Sequence, residues 1–221
     1  MVFSYSRSQR KLMRLAREAQ GHARAGTLRE AILDADALLL AVHWSRVNAV
    51  LKQAGDLSGK VIVTCSLPMN ANNTALVVAH TSSGAETLAM RVRQAHVVST
   101  FSTVPSEVLF DVFRRKSKRR TPRRPSLLYC GDDRNAKKVA ARLIRDVGFR
   151  PVDAGPLRVT RYLEPFSLAV DNSRTRATKD LRSRTASNVS GKLRRPPASP
   201  VRAGRSTRIS RSSVSDRLPL L

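Results

Sequence analysis

Asp36-Ala-Leu-Leu-Leu-Ala-Val-His43-Trp44-Ser45 decides how the rest of the chain is read. Residues 37–42 are apolar with no polar alternation. That is the pattern of a short strand buried on both faces, as in a parallel sheet. The run stops at His43-Trp44-Ser45. Val47, Val50 and Leu51 then share one face of a predicted helix, Gly55-Asp-Leu-Ser-Gly59 makes a turn, and Val61-Ile-Val-Thr-Cys65 is a second apolar strand. Strand, helix, strand over about thirty residues is a βαβ unit. Ligands of such sheets bind beyond the carboxyl ends of the strands. His43-Trp44-Ser45 and Ser66-Leu67-Pro68 are therefore predicted to share a binding edge.

Toward the amino terminus, Val2-Phe-Ser-Tyr5 reads as a strand. A helix follows with Leu12, Leu15, Ala16 and Ala19 on one face, ending at Gly21. Ala23-Arg-Ala25 is a short edge strand. Thr27-Leu-Arg-Glu30 is a capping box that opens the helix leading into the central run. Toward the carboxyl terminus, an Asn-rich loop leads to a second box, Ser83-Gly-Ala-Glu86. His96–Phe101 is a strand, and a helix opens at Pro105 and runs to about Phe113. After a basic loop, Ser126–Cys130 is a strand. Asp133 caps a helix with Ala136, Val139, Ala140, Leu143, Ile144 and Val147 at helical spacing, ending at Gly148. Phe149–Val152 is the last strand, and a helix is centred on Tyr162–Val170. Regular alternation of strand and helix predicts an α/β fold with a doubly wound, mostly parallel Rossmann-like sheet. The expected domain is 1–170. Residues 171–221, rich in Arg, Ser and Pro and without apolar period, are expected to be a disordered tail.

The net charge of +25 is concentrated. Val112–Pro125 carries +8 and Val170–Leu221 carries +10. Basic runs bind phosphates without specificity. These lack the interleaved aromatic residues that single-strand binding uses, so nucleic acid is not the expected partner, and binding it through the basic segments is the alternative reading. Cys65 and Cys130 read as small buried thiols, and no His/Cys cluster has metal-ligand spacing, so no metal is expected. The Asp132-Asp133 pair reads as a helix cap. No apolar run approaches the roughly 20 residues of a membrane span, and the first residues lack the apolar centre of a signal peptide. The expectation is a cytoplasmic protein without a membrane partner.

A dinucleotide fold ordinarily opens with a strand and a G-x-G-x-x-G turn, then places an acid after its second strand to hold the ribose. The chain carries neither at its start. At the second landmark it has Ser6-Arg7-Ser8, with Arg10 and Lys11 close by and no acid until Glu18. Guanidinium and hydroxyl donors suit a 2′-phosphate, so a site here favours NADP.

Several segments together resemble the NADPH-dependent coenzyme F420 (deazaflavin) reductase family. They are Ser6-Arg7-Ser8, Leu38–Trp44, Gly59–Val63, Ser83–Glu86, Val97–Pro105 and Gly131–Asp133 with Leu143–Leu157. That family is related to the amino-terminal domain of pyrroline-5-carboxylate reductases. The resemblance covers about Val2 to Ala169. It implies hydride transfer between NADPH and a deazaflavin or similar small-molecule redox substrate, with a homodimer as the compatible assembly. It implies that Ser6, Arg7 and Ser8 hold the 2′-phosphate, that Ala41, Val42, His43 and Trp44 line the dinucleotide, and that Ser66, Leu67 and Pro68 lie near the nicotinamide. Leu67 and Ser102 stand where that family often has Asn. Hydride transfer needs stacked rings and excluded water more than an acid or base, so no catalytic residue is assigned. The family's first strand, Gly-rich turn and first helix have no counterpart in the chain, and its closing helix gives way to the basic tail. The expected fold is therefore incomplete at its amino end, and weak in NADPH binding.

Overall fold

The computed structural model describes residues 1–173 except 6–7, 20, 34 and 117–123. Ser6, Arg7 and the tail from 174 onward lie outside the described residues. The elements in order are β1 (Val2–Phe3), α1 (Gln9–Ala19), β2 (Arg24–Ala25), α2 (Leu28–Leu33), β3 (Ala37–Leu40), α3 (Trp44–Ala54) and β4 (Val61–Thr64). Then come α4 (Gly84–Arg91), β5 (His96–Thr100), α5 (Ser106–Lys116), β6 (Ser126–Gly131), α6 (Arg134–Val147) and β7 (Arg150–Asp153). A 3-10 turn, Leu157–Val159, leads into α7 over 160–173.

The strands form two sheets. β1 and β2 pair in parallel by themselves, and β3-β4-β5-β6-β7 make a five-stranded sheet. β3, β4 and β5 run parallel, β6 is antiparallel to β5, and β7 is parallel to β6. Because β6 reverses direction, the carboxyl ends of β3–β5 and the amino ends of β6 and β7 lie along one edge. The fold is thus the expected Rossmann-like, mostly parallel α/β arrangement, with the break in the sheet between β1 and β3.

Side-chain alternation along the strands builds two layers. Leu40, Ile62 and Val97 face α3 and α4, packing with Val47, Val50, Ala85 and Leu88. Val63 and Val98, one residue on, face α6 through Ala136 and Ala140. Leu127, Ile144 and Phe149 continue that second layer, with Leu109 and Val112 of α5 against them. The expectation that β3 is buried on both faces is corrected at Leu39, which is 61% exposed. Leu39 is in register with Val63 and so shares the α6 face. β3 is the edge of the five-stranded sheet, and no described element covers Leu39 there.

Local chemistry sets the helix ends. The Thr27 amide donates to Glu30 Oε2 at 2.7 Å, and the Glu30 amide donates to Thr27 Oγ1 at 3.2 Å, completing the predicted box. Asp133 accepts from the Ala136 amide at 2.7 Å, and that bond holds its carboxyl below the usual range. α6 ends at Gly148, whose φ of 113° would strain any residue with a Cβ. α5 runs three residues beyond the expected Phe113, through Arg114, Arg115 and Lys116. Cations in a last turn complement the carbonyl end of the helix dipole.

Candidate functional site

A cleft of about 860 Å³ opens beyond the carboxyl ends of β1, β2 and β3. Its polar lining includes Gln9, Thr27, Glu30, His43, Arg46 and Gln53. Its apolar lining comes from Tyr5, Leu12, Leu28 and Val42. The volume falls in the range of small-molecule sites, roughly 300–1,000 Å³. Tyr5, at the end of β1, has a φ of 57°, and Phe101, just past β5, has 68°. Positive φ is unusual for aromatic residues, and both examples sit at carboxyl ends of strands.

His43 is held from both sides. Its Nδ1 accepts from the Ser45 amide at 3.3 Å and lies 2.9 Å from Ser45 Oγ. An amide can only donate, so Nδ1 is the acceptor and Nε2 carries the proton. Nε2 then donates to Asn73 Oδ1 at 2.9 Å, fastening the Asn-rich loop to the start of α3. His43 is both the cap of α3 and part of the cleft wall. Trp44 turns the other way. It packs on the core with Val47 and Leu88, and the Arg91 guanidinium lies 5.6 Å from its ring centre.

Ser66 clasps β3 to β4. Its hydroxyl lies 2.7 Å from the Val42 carbonyl and 3.2 Å from the Leu40 carbonyl, and it accepts from the Val42 amide at 3.3 Å. Ser66→Ala is expected to cost about 1–2 kcal/mol by freeing a partly buried amide and carbonyl. Urea denaturation measures this, and unchanged stability would mean that the clasp does not hold the strand ends. Pro68 is buried beneath Gly84, where an added Cβ would fall 2.9 Å from Pro68 Cδ. Leu67 is half-buried and Ala41 is exposed. Of the sequence-predicted site residues, then, Val42 and His43 line the cleft and Ser66 braces them. Trp44 and Pro68 point into the core. Ser8 starts α1, accepting from the Lys11 amide at 3.3 Å. Sequence reasoning missed Gln9, Arg46 and Gln53. Their only signal was helical spacing: Gln9 lies three residues from Leu12, and Arg46 and Gln53 lie four and three from Val50, on the flanks of the apolar stripes.

A dinucleotide needs both room and phosphate donors. The cleft has the room and the polar side chains for a nucleoside. Five of its backbone donors are in use: the amides of Gly26, Thr27, Val42, Ser45 and Arg46 bond to Phe3, Glu30, Ser66 and, for the last two, His43. The Glu30 carboxylate, held below its usual range by the Thr27 amide, adds a negative charge to the wall. Those five amides are therefore not available to a pyrophosphate.

Behind the sheet edge, α7 is tied to the start of α4. Glu164, 3% exposed, accepts from the Gly84 amide at 2.8 Å and the Ala85 amide at 3.0 Å. Ser83 and Thr160 hydroxyls lie 2.7 Å apart. The Arg161 guanidinium grips Glu86 with Nε and Nη2 at 2.7–3.1 Å, and those bonds hold Glu86 below the usual range. In the predicted box, Glu86 was to reach back to the helix start. It instead receives the Ser83 hydroxyl and turns to Arg161. Cys130 lies nearby, and burial pushes its thiol up to about 12, so it is an inert core thiol as expected. No group of three or more His, Cys, Asp or Glu among the described residues could hold a metal. No helix among them is long and apolar enough to cross a membrane.

Residues 1–68 match the family described as NADP oxidoreductase, coenzyme F420-dependent. Over 145 residues the chain is 28% identical to the F420-dependent NADP reductase of Methanocaldococcus jannaschii, covering 63% of this chain and 62% of that protein. Over 139 residues it is 28% identical to the metalloreductase STEAP3 of Rattus norvegicus, covering 63% of this chain and 26% of that one. The chain thus spans less than two thirds of either relative. Among solved structures, the hypothetical protein SMa0349 from Sinorhizobium meliloti matches with a TM-score of 0.60 at 26% identity, over 71% of this chain and 73% of that one.

Proposed function

We propose, from the match of residues 1–68 to the coenzyme F420-dependent NADP oxidoreductase family, that the chain is a member of that family and binds NADP(H) for hydride exchange with a deazaflavin or similar acceptor. One observation carries the reading. Every residue that lines the 860 Å³ cleft falls between Tyr5 and Gln53, inside the family match. In this reading the adenosine end lies toward β1, where Ser6, Arg7 and Ser8 hold the 2′-phosphate. Val42 and His43 line the path of the dinucleotide with Ala41 at its rim. Trp44 backs that wall from the core side. Ser66, Leu67 and Pro68 lie on the nicotinamide side, at the carboxyl end of β4. The protein's part is to orient the two rings and exclude water, and no side chain is asked to move a proton.

Arg7 gives the test. Arg7→Ala is expected to weaken NADPH by about 1–3 kcal/mol, the range for a hydrogen bond to a charged group. NADH, which lacks the 2′-phosphate, should be nearly unaffected. Titrations of both cofactors against both proteins measure this. Equal losses for NADPH and NADH would remove the 2′-phosphate role.

A further inference from the structure

At the far end of the same sheet edge, the amino ends of β6 and β7 and the last turns of α6 enclose a second cleft, of about 610 Å³. Arg124, Arg145 and Arg150 line it, with Ser126 and Phe149. Four strand intervals separate β3 from β7. At about 4.8 Å each, this cleft lies roughly 19 Å along the edge from the end of β3.

We propose that this cleft is an anion site for a multiply charged group of the phosphate class. Three arginines line it, and no Asp or Glu does. The neighbouring cleft supplies the contrast. It holds Arg134, Lys137 and Lys138, and shares Arg145 with the β6–β7 cleft, but it also holds Asp132 and Asp153, and Lys137 Nζ sits 2.8 Å from Asp153 Oδ1. Its cations are partly offset by carboxylates in the same wall. No carboxylate stands in the lining of the β6–β7 cleft. The attraction of Arg145 to the carbonyl end of α6 accounts for one of the three cations. Arg150 is pre-set, its Nη2 lying 2.7 Å from Ser126 Oγ across the paired strands. That bond leaves the remaining guanidinium donors for a ligand. A planar fork of donors matches the oxygens of a phosphate better than a point charge does. The ligand is either a free anion or the phosphorylated end of a small molecule, and the two share this chemistry. The inference stands apart from the nucleotide reading, since no residue is common to the two clefts.

Calorimetric titration with inorganic pyrophosphate tests it. The double substitution Arg145→Gln/Arg150→Gln is expected to weaken binding at least tenfold relative to the unaltered 221-residue chain. Arg142→Gln, on the same helix but outside the lining, should change it little. Circular dichroism checks that each variant is folded. If the double Gln variant fails to fold, Arg145→Lys/Arg150→Lys keeps the charges while removing the forks, and a several-fold loss is still expected. Phenyl phosphate distinguishes the sources. Binding comparable to pyrophosphate indicates a carried phosphate, and binding of pyrophosphate alone indicates a free anion. Unchanged pyrophosphate affinity in the folded double variant, or an equal loss in Arg142→Gln, would overturn the proposal.

Discussion

Replacing Glu164 with Ala is expected to destabilise the protein by about 2–4 kcal/mol and to lower Tm by roughly 5–15 °C. The carboxylate is the acceptor for two buried amides, Gly84 and Ala85, at the start of α4. Truncation leaves both without that acceptor. Relief from burying a charge offsets part of that cost. Glu164→Gln separates the two effects, because it keeps one acceptor oxygen and carries no charge. The pH dependence has a definite sign. Burial pushes the Glu164 carboxyl up to about 7, against the pull of the two amides and with the nearby Glu86 adding to the rise. Its ordinary value is 4.5. Between these values the folded chain holds a proton that the unfolded chain releases, so this group's contribution is full below about 4.5 and falls away as pH rises to about 7. The change is on the order of 3 kcal/mol. Glu86 and Asp133 act oppositely, and their contributions are lost as pH falls below the usual carboxylate range. Urea denaturation at pH 5 and pH 7.5 should show the wild type losing stability across that interval. Glu164→Gln should flatten the loss, and the same slope in both proteins would assign it to another group.

The second large effect concerns affinity. The 221-residue chain is expected to bind NADPH weakly, with a Kd above about 100 μM, or less than about 5.5 kcal/mol of binding free energy. A pyrophosphate is normally met by free amides at a helix start. Here the Ser45 and Arg46 amides of α3 are already spent on His43, and Gly26 and Thr27 on Phe3 and Glu30. Arg46 remains as a cation, with Glu30 opposing it in the same wall. Fluorescence or calorimetric titration measures the constant. Low-micromolar binding would mean that a donor set outside these residues holds the phosphates.

How much of this was legible in the sequence depended on the range of each interaction. Thr27–Glu30, Asp133–Ala136 and Gly148 are local, and each folds as its spacing predicts. The apolar run at Ala37–Val42 marked β3 correctly, although the strand ends at Leu40. What the run could not reveal was its place at a sheet edge, which leaves Leu39 in solvent. The reversal of β6 was equally hidden, since strand direction is set by the path of the connecting chain. His43-Trp44 was found as a strand-end pair. Which of the two faces the cleft depends on the α3 cap, made by His43 with Ser45 and Asn73, and on Arg91 over the indole. Glu164 finds its partners 80 residues back. Nothing in its own neighbourhood distinguishes it from a solvated helical Glu until α7 is seen against α4.

The amide chemical shifts of the ¹⁵N-labelled chain during titration with NADPH and, separately, NADH test the assignment of this cleft most directly. Shift mapping does not require tight binding. The predicted result is movement concentrated at Tyr5, Gly26, Val42, His43 and Arg46, larger for NADPH than for NADH at equal concentration. Movement elsewhere with none at these residues, or identical responses to the two cofactors, would contradict the assignment of this cleft to NADP(H).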